Sequence, residues 1–74
     1  MEKGYGRLKE LRMEKGYPRS YLAKKTFCHL STYTKYENGE RLPPIDILIL
    51  LAKMYDCSLE YLTGISDIRR PFGD

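Results

Sequence analysis

The chain has 74 residues, 42% of them hydrophobic and 31% charged, with a formal net charge of +3 and no tryptophan. That length holds one hydrophobic core, which excludes a second domain within it and leaves little room for a catalytic cleft beside it. Two cysteines, Cys28 and Cys57, allow at most one disulfide, and the longest apolar run, Ile47–Ala52, is far short of the ~18 residues of a membrane span.

The segment 1–6 reads as a flexible lead-in. Its start, Met1-Glu2-Lys3-Gly4, lacks the basic flank and apolar stretch of a secretory signal, so the expected compartment is the cytoplasm. Arg7–Lys15 is expected to be helical, with Leu8 and Leu11 on one face and Gly16 as its stop. Pro18–Thr26 is predicted as a helix with proline in its first turn, where a missing N–H costs nothing, and with Leu22 and Ala23 facing the core. His29–Asn38 brings Tyr33 and Tyr36 together at i, i+3, and Asn38-Gly39 ends it. After Pro43-Pro44, the segment Ile45–Tyr55 places Leu48, Leu51, Ala52 and Tyr55 at i, i+3, i+4 and i+7. Asp56 can take a left-handed turn, Ser58 can cap a last helix over Leu59–Thr63, and Gly64 stops it. Residues 65–74 form a tail. Strand-like alternation is absent, so the expectation is an all-α domain of five short helices.

Charge is unevenly spread. Residues 1–41 hold ten Lys/Arg against five acids, whereas residues 42–74 hold three against five. A basic half on a small protein is the footprint of a polyanion binder, although a solvated face with no partner gives the same balance.

The helices predicted at Pro18–Thr26 and His29–Asn38 are separated by two or three residues, and Ala23 supplies a small side chain for close contact. That spacing matches a helix-turn-helix, whose second helix enters the DNA major groove. The stretch from Arg7 to Gly16, then Leu22-Ala23-Lys24-Lys25, resembles the Xre/Cro-like, phage-repressor type of helix-turn-helix domain. So do Ser31-Thr32-Tyr33-Thr34-Lys35-Tyr36-Glu37-Asn38-Gly39, Leu51-Ala52-Lys53 and Ser58-Leu59-Glu60-Tyr61-Leu62-Thr63-Gly64. The resemblance runs without gaps from Arg7 to Gly64. It implies a compact five-helix bundle of the lambda-repressor-like type over residues 7–64. It also implies a bacterial, cytoplasmic transcriptional regulator that binds a palindromic operator as a homodimer and represses by occupying it.

Carried over residue by residue, the resemblance puts Leu30, Ser31, Thr34 and Lys35 against base edges. Ser31 can donate or accept, Lys35 can reach guanine O6 and N7, and Leu30 can touch a thymine methyl. Arg19, Thr32, Asn38 and Arg41 match positions that contact phosphate and fix register. Arg12 and Glu37 match a partly buried ion pair between the first and third helices. Four departures stand out, one of them Leu30, which is apolar where polar residues are common. Phe27 occupies a turn position that favours glycine, where a bulky residue is strained by ~1–2 kcal/mol unless the turn changes shape. His29 replaces the usual hydroxyl cap, and Pro18 removes an N–H from a helix end that commonly faces phosphate.

Consecutive apolar residues over Ile45–Leu51 point all around a helix, and one core face hides about half of them. Ile47, Ile49 and Leu50 are therefore expected to be covered by the tail residues Ile65, Ile68 and Phe72 or, with them, to form a homodimer interface. Two such subunits would set their recognition helices about 34 Å apart, one DNA turn.

Other chemistries find little support. Cys28 and His29 are adjacent, but no second Cys/His pair stands at zinc-ligand spacing, so no metal or cofactor is expected, and both cysteines read as buried free thiols. A single histidine without an activated nucleophile gives no catalytic constellation. Gly4-Tyr5-Gly6 follows no strand and is no phosphate loop. Tyr33, Tyr36 and Tyr55 fall on core faces rather than on a base-stacking surface. The competing function is an antitoxin-like or adaptor module that keeps the fold but binds a regulatory protein partner, motivated by Phe27, Leu30 and the apolar fourth helix.

Overall fold

A computed structural model describes residues 7–73; the expected lead-in 1–6, with Gly4-Tyr5-Gly6, lies outside the described residues. Its elements are α1 (Arg7–Lys15), α2 (Arg19–Lys25), α3 (Leu30–Asn38), α4 (Ile45–Tyr55) and α5 (Leu59–Thr63). No strand occurs among the described residues. The fold is the all-α, five-helix arrangement expected from the sequence.

Each helix end has a local cause. Gly16 turns left-handed at φ +74°, and the Gly16 and Tyr17 amides close α1 by donating to the Met13 and Arg12 carbonyls. Pro18 stands one position before α2 rather than in its first turn, with extended backbone at φ −75°, ψ 157°. Thr26 ends α2 from inside the protein. It is 2% exposed, and its hydroxyl donates to the Leu22 carbonyl at 2.7 Å, so the buried oxygen is satisfied. His29 precedes α3 and makes no side-chain cap, whereas the Ser58 hydroxyl accepts the Tyr61 amide at 3.1 Å and starts α5. Asp56 takes the left-handed conformation between α4 and α5.

The core draws on every helix. Leu8 and Leu11 come from α1, Leu22 and Ala23 from α2, Tyr33 and Tyr36 from α3, Leu48, Leu51, Ala52 and Tyr55 from α4, and Leu62 from α5. The three tyrosines thus pack inside. Helix α2 lies on α3, α4 on α5, and α1 on α5.

The tail doubles back onto its own chain. The Ser58 amide donates to the Arg70 carbonyl at 2.8 Å, and the Phe72 amide to Asp56 Oδ1 at 3.2 Å. Ion pairs Arg7–Asp67 at 3.1 Å and Arg69–Glu14 at 2.8 Å tie it to α1. Arg7 and Arg69 both lie over the Tyr61 ring, 4.1 and 5.7 Å from its centroid. Phe72 and Ile47 pack against the core of this same chain, while Ile49 and Leu50 are half-buried and Ile65 and Ile68 are exposed.

Candidate functional site

At 100° per residue, α3 divides into two faces. Tyr33, Tyr36 and Glu37 are buried, and Ser31, Lys35 and Asn38 point the opposite way into solvent, with Thr34 half-buried beside them. Leu30, at the first position of the helix, is 50% exposed. The four expected base-reading residues therefore share the outer side and N-terminal end of one short helix. From Lys15 to Tyr36 the chain carries five Lys/Arg and no acid.

Glu37 is the one acid of α3, and it is turned inward. Its side chain is 1% exposed, and its carboxylate accepts hydrogen bonds from Arg12 Nε, from Arg12 Nη2 at 3.3 Å and from Arg19 Nε at 3.3 Å. Arg12 Nη1 also donates to the Tyr17 carbonyl at 2.9 Å, fixing the link between α1 and α2. One carboxylate thereby joins three helices. Burial pushes the Glu37 carboxyl up, but the Arg12 hydrogen bonds, with Tyr33 and Arg19 beside them, outweigh it and hold the group below its ordinary value. Negative charge is thus sequestered behind the helix, leaving its outer face to Lys35. The Tyr33 and Tyr55 hydroxyls are buried, and that of Tyr33 lies beside the Glu37 carboxylate. Burial first, then the nearby carboxylate, pushes both phenols far above their usual range.

The expected phosphate-contacting residues lie around this face in different states. Arg41 is exposed and Thr32 half-buried. Asn38 is exposed and donates to Glu40 Oε2 at 3.2 Å. Arg19 is shared between Glu37 and solvent, with 41% of its side chain exposed. No feature of the sequence signals that sharing, because it depends on how far a guanidinium reaches from α2 to α3.

Phe27 keeps the left-handed turn at φ +58° and accepts the strain of ~1–2 kcal/mol that a side chain brings there. Cys28 is half-buried rather than buried, 3.2 Å from the Thr26 hydroxyl. Cys57 is buried, and burial raises its thiol pKa. Both cysteines are free. Among the described residues, no group of three His, Cys, Asp or Glu could hold a metal ion, and no helix is long and apolar enough to cross a membrane.

The helix-turn-helix family model matches residues 8–62. The uncharacterized HTH-type transcriptional regulator YobD of Bacillus subtilis (strain 168) is 38% identical over 61 residues, 82% of this chain and 54% of that protein. The HTH-type transcriptional regulator ImmR of the same organism is 33% identical over 64 residues, 86% of this chain and 50% of that protein. The chain spans about half the length of these curated relatives. The crystal structure of a transcriptional regulator from Listeria innocua matches with a TM-score of 0.81 and 25% identity, covering all of this chain and 68% of that one.

Proposed function

The chain belongs to the helix-turn-helix family, and from that premise we propose that it is a sequence-specific double-stranded DNA-binding transcriptional regulator of a bacterial cytoplasm. Residues 7–64 are its DNA-binding domain. It acts without catalysis or cofactor, as a repressor that occupies a palindromic operator as a homodimer. The observation that carries this reading is the division of α3: Ser31, Thr34 and Lys35 face outward in an acid-free stretch, while Glu37 is buried between two guanidiniums.

Lysines and arginines capture phosphates and release counterions. Arg41, Asn38, Thr32 and the nitrogens of Arg19 not engaged by Glu37 then set the register. Ser31, Thr34 and Lys35 read base edges, and Leu30 meets a thymine methyl. The dimer doubles this readout. Its interface is supported by the half-exposed Ile49 and Leu50 and the exposed Ile65 and Ile68, with Ile47 and Phe72 packed beneath as backing. Leu50→Glu should turn a sedimenting dimer into a monomer; a wild type that is already monomeric at binding concentrations would remove the interface.

Selection of sites from a random duplex pool, at near-physiological salt, tests the whole reading. Enrichment of a palindrome by the wild type, lost in the Ser31→Ala/Lys35→Ala double variant, is the expected result. A purely electrostatic binder would enrich nothing. An adaptor module would bind its protein partner with little response to salt between about 50 and 200 mM, where DNA affinity falls steeply.

A further inference from the structure

Seven large apolar side chains are exposed among the described residues. Five of them have a carboxylate within two positions along the chain: Met13 beside Glu14, Leu42 near Glu40, Ile45 beside Asp46, and Ile65 and Ile68 near Asp67. Phe27 and Leu30 do not, since both fall in the acid-free stretch Lys15–Tyr36. Phe27 is the most exposed of the seven, at 88%, and the one whose backbone sits at positive φ. Its ring is not among the side chains packed on the core. Glycine would make this turn without strain, so nothing in the fold itself calls for an aromatic ring here.

We propose that Phe27 is a specificity-determining DNA contact, its ring laid against a thymine methyl in the major groove next to the base contact of Leu30. The proposal rests on the DNA-binding reading of α3. Lys24 and Lys25 on one side of Phe27 and Lys35 beyond it are exposed, which suits a polyanion, and a partner offering an acidic protein groove would be the other occupant of such a frame. Duplex DNA combines that charge with an apolar group: in the major groove the thymine methyl is the apolar feature of a base edge. An aromatic ring beside Leu30 would widen the apolar contact from one methyl to two neighbouring positions.

The test uses the full chain on the duplex recovered by pool selection. Phe27→Gly and Phe27→Asn both tolerate the left-handed turn, so each should unfold at or above the wild-type temperature. Each should nevertheless bind the selected duplex about tenfold more weakly, with little change on a scrambled duplex. Replacing thymidines one at a time by deoxyuridine should reproduce that loss in the wild type at one position, where neither variant loses more. Unchanged affinity in folded variants would overturn the proposal and leave Phe27 to a protein partner. An equal loss on selected and scrambled duplexes would also overturn it, because the ring would then touch the backbone. A wild type that selects no site would remove the DNA-binding reading, and this contact with it.

Discussion

The junction of α1, α2 and α3 and the seam between α1 and the tail use ion pairs in opposite ways. In α1–α3, a single buried carboxylate is shared by Arg12 and Arg19 and fixes three helices against one another. Between α1 and the tail, Arg7–Asp67 and Arg69–Glu14 each keep an exposed carboxylate and hold the tail onto a surface that apolar packing has already built. The chemistry is the same, but burial makes the difference. A carboxylate removed from water cannot be left alone, so its partners become structural. An exposed pair exchanges one well-solvated state for another and contributes little. The buried arrangement has a second consequence for the outer face of α3: the helix's own carboxylate is turned away from it, and the nearest acid along the chain is Glu40, beyond the C-terminal end and hydrogen-bonded to Asn38.

The largest effect should come from breaking the buried set. Glu37→Ala leaves two guanidiniums without their shared carboxylate and should destabilise the domain by about 3–5 kcal/mol in urea unfolding. Loss of less than ~1 kcal/mol, the range of exposed pairs, would erase the contrast between the buried set and the tail pairs. The same group sets a pH dependence. Because the folded pKa of Glu37 is lowered, the unfolded chain binds the extra proton first as pH falls. Its contribution is therefore complete above the ordinary glutamate range and is lost as pH drops through the lowered folded value. Wild type should lose stability across that acid window more steeply than Glu37→Gln; parallel curves would mean that the pair carries no linkage.

A smaller effect is expected on the outer face of the same helix. Lys35→Ala should cost about 1–3 kcal/mol on the best DNA site and relax preference at one base pair, while leaving the unfolding midpoint unchanged. Arg41→Ala should weaken all sequences alike and flatten the salt slope. Retained preference in Lys35→Ala would reassign the base-reading face. The smallest effect belongs to the tail. Glu14→Ala removes an exposed partner of Arg69 and should leave the unfolding midpoint within experimental error, while amide exchange at Ser58, whose N–H donates to Arg70, measures any loosening.

Much of the fold was legible along the chain because local chemistry decides it. Gly16, Gly39 and Gly64 stop helices where expected, Ser58 caps α5, and the i, i+3, i+4, i+7 set of α4 faces the core. Where placement depends on backbone direction rather than residue type, the sequence was less informative. Pro18 fits both the first turn of a helix and the residue before it, and only the chain entering from Tyr17 selects the second. At Phe27 either strain or a different turn satisfied the residue; the close packing of α2 on α3 holds the left-handed geometry and the strain is retained. The ties between α1 and the tail join positions some sixty residues apart, and nothing local to Arg7 or Asp67 announces the other. The family resemblance names the outward set of α3, but the sharing of Arg19 between Glu37 and solvent is not contained in it.

The most direct test of the central claim, that the outward face of α3 meets DNA while the α4–α5 half does not, is an amide chemical-shift titration of the full chain with a selected duplex. The largest shifts should fall on Ser31, Thr34 and Lys35, with Leu62 and Thr63 unmoved. Shifts concentrated in α5 and the tail, with α3 silent, would contradict it.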